Sequence, residues 1–95
     1  MLSRLDFVFT IGYDGPVAVI DSRARKRYGS LSTAELAGKG LFRAAYSSAI
    51  YSKDPAELKL VAEAYARLTG AEVEIPSMGR LFGVFPVEAN RSILL

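Results

Sequence analysis

The sequence predicts an α+β fold in the order ββααββ, an antiparallel sheet of two hairpins with two helices packed on one face. Three observations predict it: apolar residues alternate at period two towards both ends, helix-start signals stand at Ser32 and Asp54, and turn-forming residues punctuate the alternating stretches.

Leu5, Phe7, Phe9, Ile11 and Tyr13 alternate with Asp6, Val8, Thr10 and Gly12, which predicts a first strand with one strongly apolar face. Asp14-Gly15 tolerates the positive φ of a tight turn, and Pro16 then opens the run Val17, Ala18, Val19, Ile20, so the two stretches pair as an antiparallel hairpin. Residues 21–30 break the apolar pattern and are expected as a loop, or as the second strand running past the sheet. Ser32-Thr33-Ala34-Glu35 has capping-box spacing, and Leu36, Ala37, Leu41, Ala44, Ala45, Ser48 and Ala49 continue it as a helical stripe of mostly small side chains. Gly38 and Gly40 lie within that stripe and would each cost about 1 kcal/mol relative to Ala in a helix interior.

Asp54-Pro55-Ala56-Glu57 places an N-cap, a first-position proline and a carboxylate near the positive end of the helix dipole. Leu58, Val61, Ala62, Tyr65, Leu68 and Thr69 form the stripe of this second helix, and Gly70 ends it. The connection at Ser52 and Lys53 is short enough to make the two helices antiparallel neighbours. Ala71, Val73 and Ile75 then alternate with Glu72 and Glu74, and Pro76-Ser77-Met78-Gly79 precedes an apolar run from Leu81 to Val87. These read as a second hairpin, with Pro86 on a sheet edge or at its end. The apolar Ile93-Leu94-Leu95 is expected to dock on the body of the protein or on a second chain.

Ninety-five residues are expected to form a single domain spanning 1–95. A hydrophobic fraction of 51% and a mean hydropathy of +0.20 are high for so small a chain and predict apolar surface at a subunit interface. Val8, Ala18, Ile20, Phe82 and Val84 fall on the second faces of the expected strands, and an exposed apolar sheet face there would favour a homodimer. No apolar run reaches the roughly 18–20 residues of a membrane span, and Arg4 and Asp6 interrupt the first nine residues, so the expectation is a cytoplasmic protein without a membrane partner.

Cysteine and histidine are both absent, which removes the commonest transition-metal ligands and the thiolate nucleophile. No metal and no cofactor are expected. The carboxylates have local explanations: Asp14 in its turn, Asp21 ending a strand, Glu72 and Glu74 facing solvent, and Glu35, Asp54 and Glu57 at helix starts. Nothing in that set asks for catalysis, and the chain reads as non-enzymatic.

Charge is uneven: residues 1–53 hold eight Lys/Arg against four Asp/Glu, whereas residues 54–95 hold four against six. The excess concentrates in Arg23, Arg25, Lys26 and Arg27, which lead into Tyr28-Gly29-Ser30-Leu31-Ser32-Thr33 at an expected helix N-terminus. Exposed N–H groups, hydroxyls and guanidinium forks favour an anion there, with Tyr28 as a stacking surface. The candidate site for a phosphate ligand or nucleic acid is therefore Arg23, Arg25, Lys26, Arg27, Tyr28, Ser30, Ser32 and Thr33. The competing explanation is a solvated charge run balanced by the acidic half of the chain or of a partner subunit.

Phosphate-loop and dinucleotide fingerprints are absent. Residues 33–50 carry Ala37, Gly40 and Arg43-Ala44-Ala45 somewhat as a DNA-binding helix-turn-helix begins, but no turn-compatible sequence is expected between two helices there. Tyr46, Ser47, Ser48, Ile50, Tyr51 and Ser52 suit either helix packing or an interface rim. The functional expectation is a small, self-associating binding or assembly module; the alternative is nucleic-acid or phosphate-ligand binding through loop 23–33.

Overall fold

In the computed structural model, which describes residues 3–84 and 91–94, the first alternating stretch is divided between a helix and a strand. The Ser3 hydroxyl accepts the Asp6 N–H at 3.2 Å and opens helix α1, Arg4–Val8; strand β1 follows at Thr10–Asp14. Period two concealed an equally good helical spacing, since Leu5, Val8 and Phe9 are three and four residues apart, and Val8 and Phe9 are buried. Gly15, at φ +59°, and Pro16 form the turn into strand β2, Val17–Ile20. The hairpin pairs antiparallel from Asp14 opposite Val17 to Thr10 opposite Ile20, with an irregularity between Thr10 and Gly12. Pro16 lies in the turn, where its missing N–H costs no ladder bond.

The residues expected as a loop are mostly helical. The Asp21 carboxylate accepts the Ala24 N–H at 3.1 Å and caps helix α2, Ser22–Tyr28. This corrects both the loop and the strand-ending role given to Asp21, because Arg, Ala and Lys are all good helix formers once a cap starts the turn. A third strand, β3, Arg91–Leu94, pairs in parallel with β2, from Val17 opposite Arg91 to Ile20 opposite Leu94. The sheet order is β1-β2-β3. Its central strand buries Ala18 and Ile20 completely, so the expected exposed apolar face, to which both were assigned together with the buried Val8, is a core face.

Residues 3–30 with 91–94 form one compact unit, and residues 31–84 form a second. In the second, the Ser32–Glu35 capping box is complete and starts helix α3, Thr33–Gly38. Gly40, at φ +77°, then turns the chain into helix α4, Phe42–Ser52, so the two glycines sit at a helix break and escape most of the interior cost. Helix α4 closes on Lys53 in the left-handed region. The Asp54 cap and Pro55 start helix α5, Pro55–Thr69, which Gly70 ends as expected. Helices α3, α4 and α5 pack on one another through Leu36, Ala37, Ala45, Ala49, Val61 and Ala64, all essentially inaccessible to solvent. The small side chains allow that close approach.

The expected second hairpin is absent from the described residues. Residues 71–74 have no regular structure, Ile75–Ser77 is a 3-10 turn, and Met78–Phe82 is helix α6, which packs on α4. Ala71 and Ile75 are exposed, so the alternation there defines no buried strand face. Met78 is instead completely buried, and Gly83 ends α6 at φ +69°, after which the Val84 N–H bonds back to the Gly79 carbonyl. Gly79 permits a close approach, because a Cβ there would lie 3.1 Å from the Tyr46 hydroxyl. Around it, Phe42, Tyr46, Tyr65 and Phe82 form a ring cluster with centroid separations of 5.2–6.0 Å. The expected strand residues beyond Val84, Pro86 among them, lie outside the described residues. The order ββααββ is therefore replaced by one hairpin extended by a parallel strand, and by a helical unit without a strand among its described residues.

Candidate anion-binding face

Helix α2 sorts the four cations by direction. At about 100° per residue, positions 23, 26 and 27 share one side and position 25 points away from them. Arg23, Lys26 and Arg27 are exposed, while Arg25 is half-buried and faces Asp6 of α1, with Nε 3.2 Å from the carboxylate Oδ1. The Nε atom is buried and makes no hydrogen bond, so charge attraction rather than a directed N–H bond holds the pair. With both side chains partly solvated, such a pair contributes on the order of 1 kcal/mol or less. Arg25 is thereby engaged in joining α2 to α1.

The Arg27 guanidinium lies 5.4 Å from the centroid of the Tyr28 ring, a cation–π contact that restrains an otherwise mobile side chain. Ser30 follows the helix and is exposed. The remaining two candidates belong to the 31–84 unit and have structural duties. The Ser32 hydroxyl accepts the Glu35 N–H at 3.2 Å, and the Glu35 carboxylate accepts the Ser32 N–H at 3.1 Å. The start of α3 is thus capped by its own side chains.

Thr33 is buried, and its hydroxyl donates to the Glu57 carboxylate, leaving the Ser48 hydroxyl to donate to Thr33 Oγ1 at 2.7 Å. One threonine thereby ties α3 to both α4 and α5. The sequence offered no local signal for this network, since Thr33 and Glu57 are 24 residues apart and each already had a helix-start explanation. Of the hydroxyl-rich stretch, Tyr46, Ser47 and Ser48 are buried in the core, whereas Tyr51 and Ser52 are exposed.

Residues 39–41 do separate α3 from α4, contrary to the expectation that no turn falls there. Nevertheless Ala45, Tyr46, Ser47, Ser48 and Ala49 are consecutive and all buried, so α4 lacks the free surface of a groove-reading helix. Among the described residues, no group of three or more histidine, cysteine or carboxylate side chains could hold a metal ion, and no helix is long and apolar enough to cross a membrane. Comparison with protein-family models, curated proteins and solved structures finds no match to the chain.

Proposed function

We propose that this chain is a small binding module that recognises a polyanion through the α2 face formed by Arg23, Lys26 and Arg27. The observation that carries this reading is the division of charge on α2. Arg25 pairs with Asp6, whereas the three cations on the opposite side are exposed and make no ion pair among the described residues. Internal compensation therefore accounts for one of the four. Like charges three and four residues apart repel by a few tenths of a kcal/mol, a cost that a bound anion relieves.

Replacing Arg23, Lys26 and Arg27 together by Gln tests the reading, with binding to a labelled oligonucleotide measured by fluorescence anisotropy over a salt series. Three phosphate contacts predict a slope of about −2 to −3 in log affinity against log salt for the wild type, and its loss in the variant. Equal affinity and slope for the two proteins would refute the proposal.

Self-association is the second reading, and a different observation favours it. The outer strands β1 and β3 carry Ile11 and Leu94 at 47% and 55% exposure, apolar side chains on the two strands at the ends of the sheet order.

A further inference from the structure

We infer that Ser30 is a phosphorylation site and that its phosphate closes the α2 face to polyanions. This rests on the polyanion reading above and adds a regulation of the same site. Placement, availability and the surrounding charge carry it.

The backbone stays in the right-handed helical region through Gly29, at φ −64° and ψ −22°, so Ser30 starts where the next helical position would lie. At about 100° per residue, position 30 falls between positions 26 and 27 on the helix circumference, three residues beyond Arg27 and four beyond Lys26. The stripe of Arg23, Lys26 and Arg27 therefore ends in a hydroxyl on its own side. Ser30 is exposed, and its hydroxyl makes no hydrogen bond among the described residues. The hydroxyls that follow are committed: Ser32 caps α3, and Thr33 is buried and bonded to Glu57. Ser30 is also the last residue of the 3–30 segment of the first compact unit, and exposed boundary residues of this kind are accessible to enzymes.

Charge supplies both the recognition and the outcome. Kinases select substrates by charge pattern, and a serine kinase with an acidic substrate groove takes cations on the N-terminal side of the hydroxyl, where Lys26 and Arg27 stand. In the transfer, Ser30 Oγ attacks the γ-phosphorus of a nucleoside triphosphate, its proton passes to a carboxylate of the kinase, and the bond to the β-phosphate oxygen breaks to release the nucleoside diphosphate. The phosphoserine carries about −1.5 to −2 charges at pH 7, and the Arg27 and Lys26 N–H groups donate to its oxygens. The carbonyl end of α2 disfavours an anion, but that partial charge belongs to a seven-residue helix and acts against two full positive charges. The three cations of the face are thereby reduced to a net charge of about +1.

The experiment treats the full chain with an arginine-directed serine kinase and a nucleoside triphosphate, maps the modified residue by mass spectrometry, and compares binding of a labelled oligonucleotide before and after over a salt series. One phosphate is expected, on Ser30, and Ser30→Ala is expected to take none. The phosphorylated chain is expected to bind about tenfold more weakly at low salt, with a salt slope reduced to about −1, unchanged helical circular dichroism, and recovery on treatment with a phosphatase. Phosphate only at other residues, or none, overturns the inference, as does phosphate on Ser30 with affinity and slope unchanged; in each case the polyanion reading stands. Loss of helical signal on phosphorylation overturns the pairing with Lys26 and Arg27. Absence of salt-sensitive binding by the unmodified chain overturns both readings. The two forms share one sequence, so a folding defect in Ser30→Ala cannot obscure the binding comparison.

Discussion

At the residue scale, Thr33 and Tyr46 show how single polar groups are held in a core made largely of small side chains. Thr33 serves two partners, and Thr33→Val removes its hydrogen bonds to Ser48 and Glu57. The expected destabilisation is about 1–3 kcal/mol, measured by urea unfolding, with Thr33→Ser recovering most of it. Burial raises the Tyr46 hydroxyl above its ordinary pKa of 10.0. The unfolded chain therefore loses this proton first, so stability is unaffected by Tyr46 below about pH 10 and falls as pH rises through the unfolded and then the folded value. Unfolding curves from pH 8 to 11 should show that decline, and Tyr46→Phe should remove its Tyr46 component.

At the element scale, α2 depends on its cap. A seven-residue helix is unstable in isolation, so the Asp21 carboxylate and packing against α1 must hold it. Asp21→Ala should destabilise the protein by about 1 kcal/mol, reduce helical circular dichroism and weaken oligonucleotide binding by disordering the basic face; Asp21→Asn should retain most of each. The cap was legible, since Asp followed by a run of helix formers is a start signal, but charge density drew the segment towards a loop. The misreading at residues 71–82 has another origin. Alternation of Ala71, Val73 and Ile75 carries no information about whether a neighbouring strand exists to pair with them. Where residues 71–74 have none, the chain proceeds through a 3-10 turn into α6 and buries Met78.

At the scale of the whole molecule, the parallel strand β3 changes where self-association should be sought. Ala18, Ile20, Val8 and Val84 are buried, which withdraws most of the apolar surface that the sheet was expected to show, and leaves Ile11 and Leu94 on the outer strands. If those edges join two copies, light scattering over a micromolar dilution series should show a concentration-dependent mass, and Ile11→Lys combined with Leu94→Lys should abolish it. A strict monomer over the whole range would refute self-association.

The sequence by itself determined the caps at Ser32 and Asp54, the end of α5 at Gly70, the turn beside Gly15 and the position of the cationic cluster. Each is settled within about four residues, by a side chain reaching a nearby N–H, a backbone angle that glycine tolerates, or charge read directly from composition. Only the tertiary structure decided that residues 4–8 are helical, that Arg91–Leu94 joins β2, that Thr33 bonds to Glu57, and that Arg25 pairs with Asp6 while Arg23, Lys26 and Arg27 remain exposed. Those outcomes depend on partners brought together by folding, and local spacing does not encode which partner arrives.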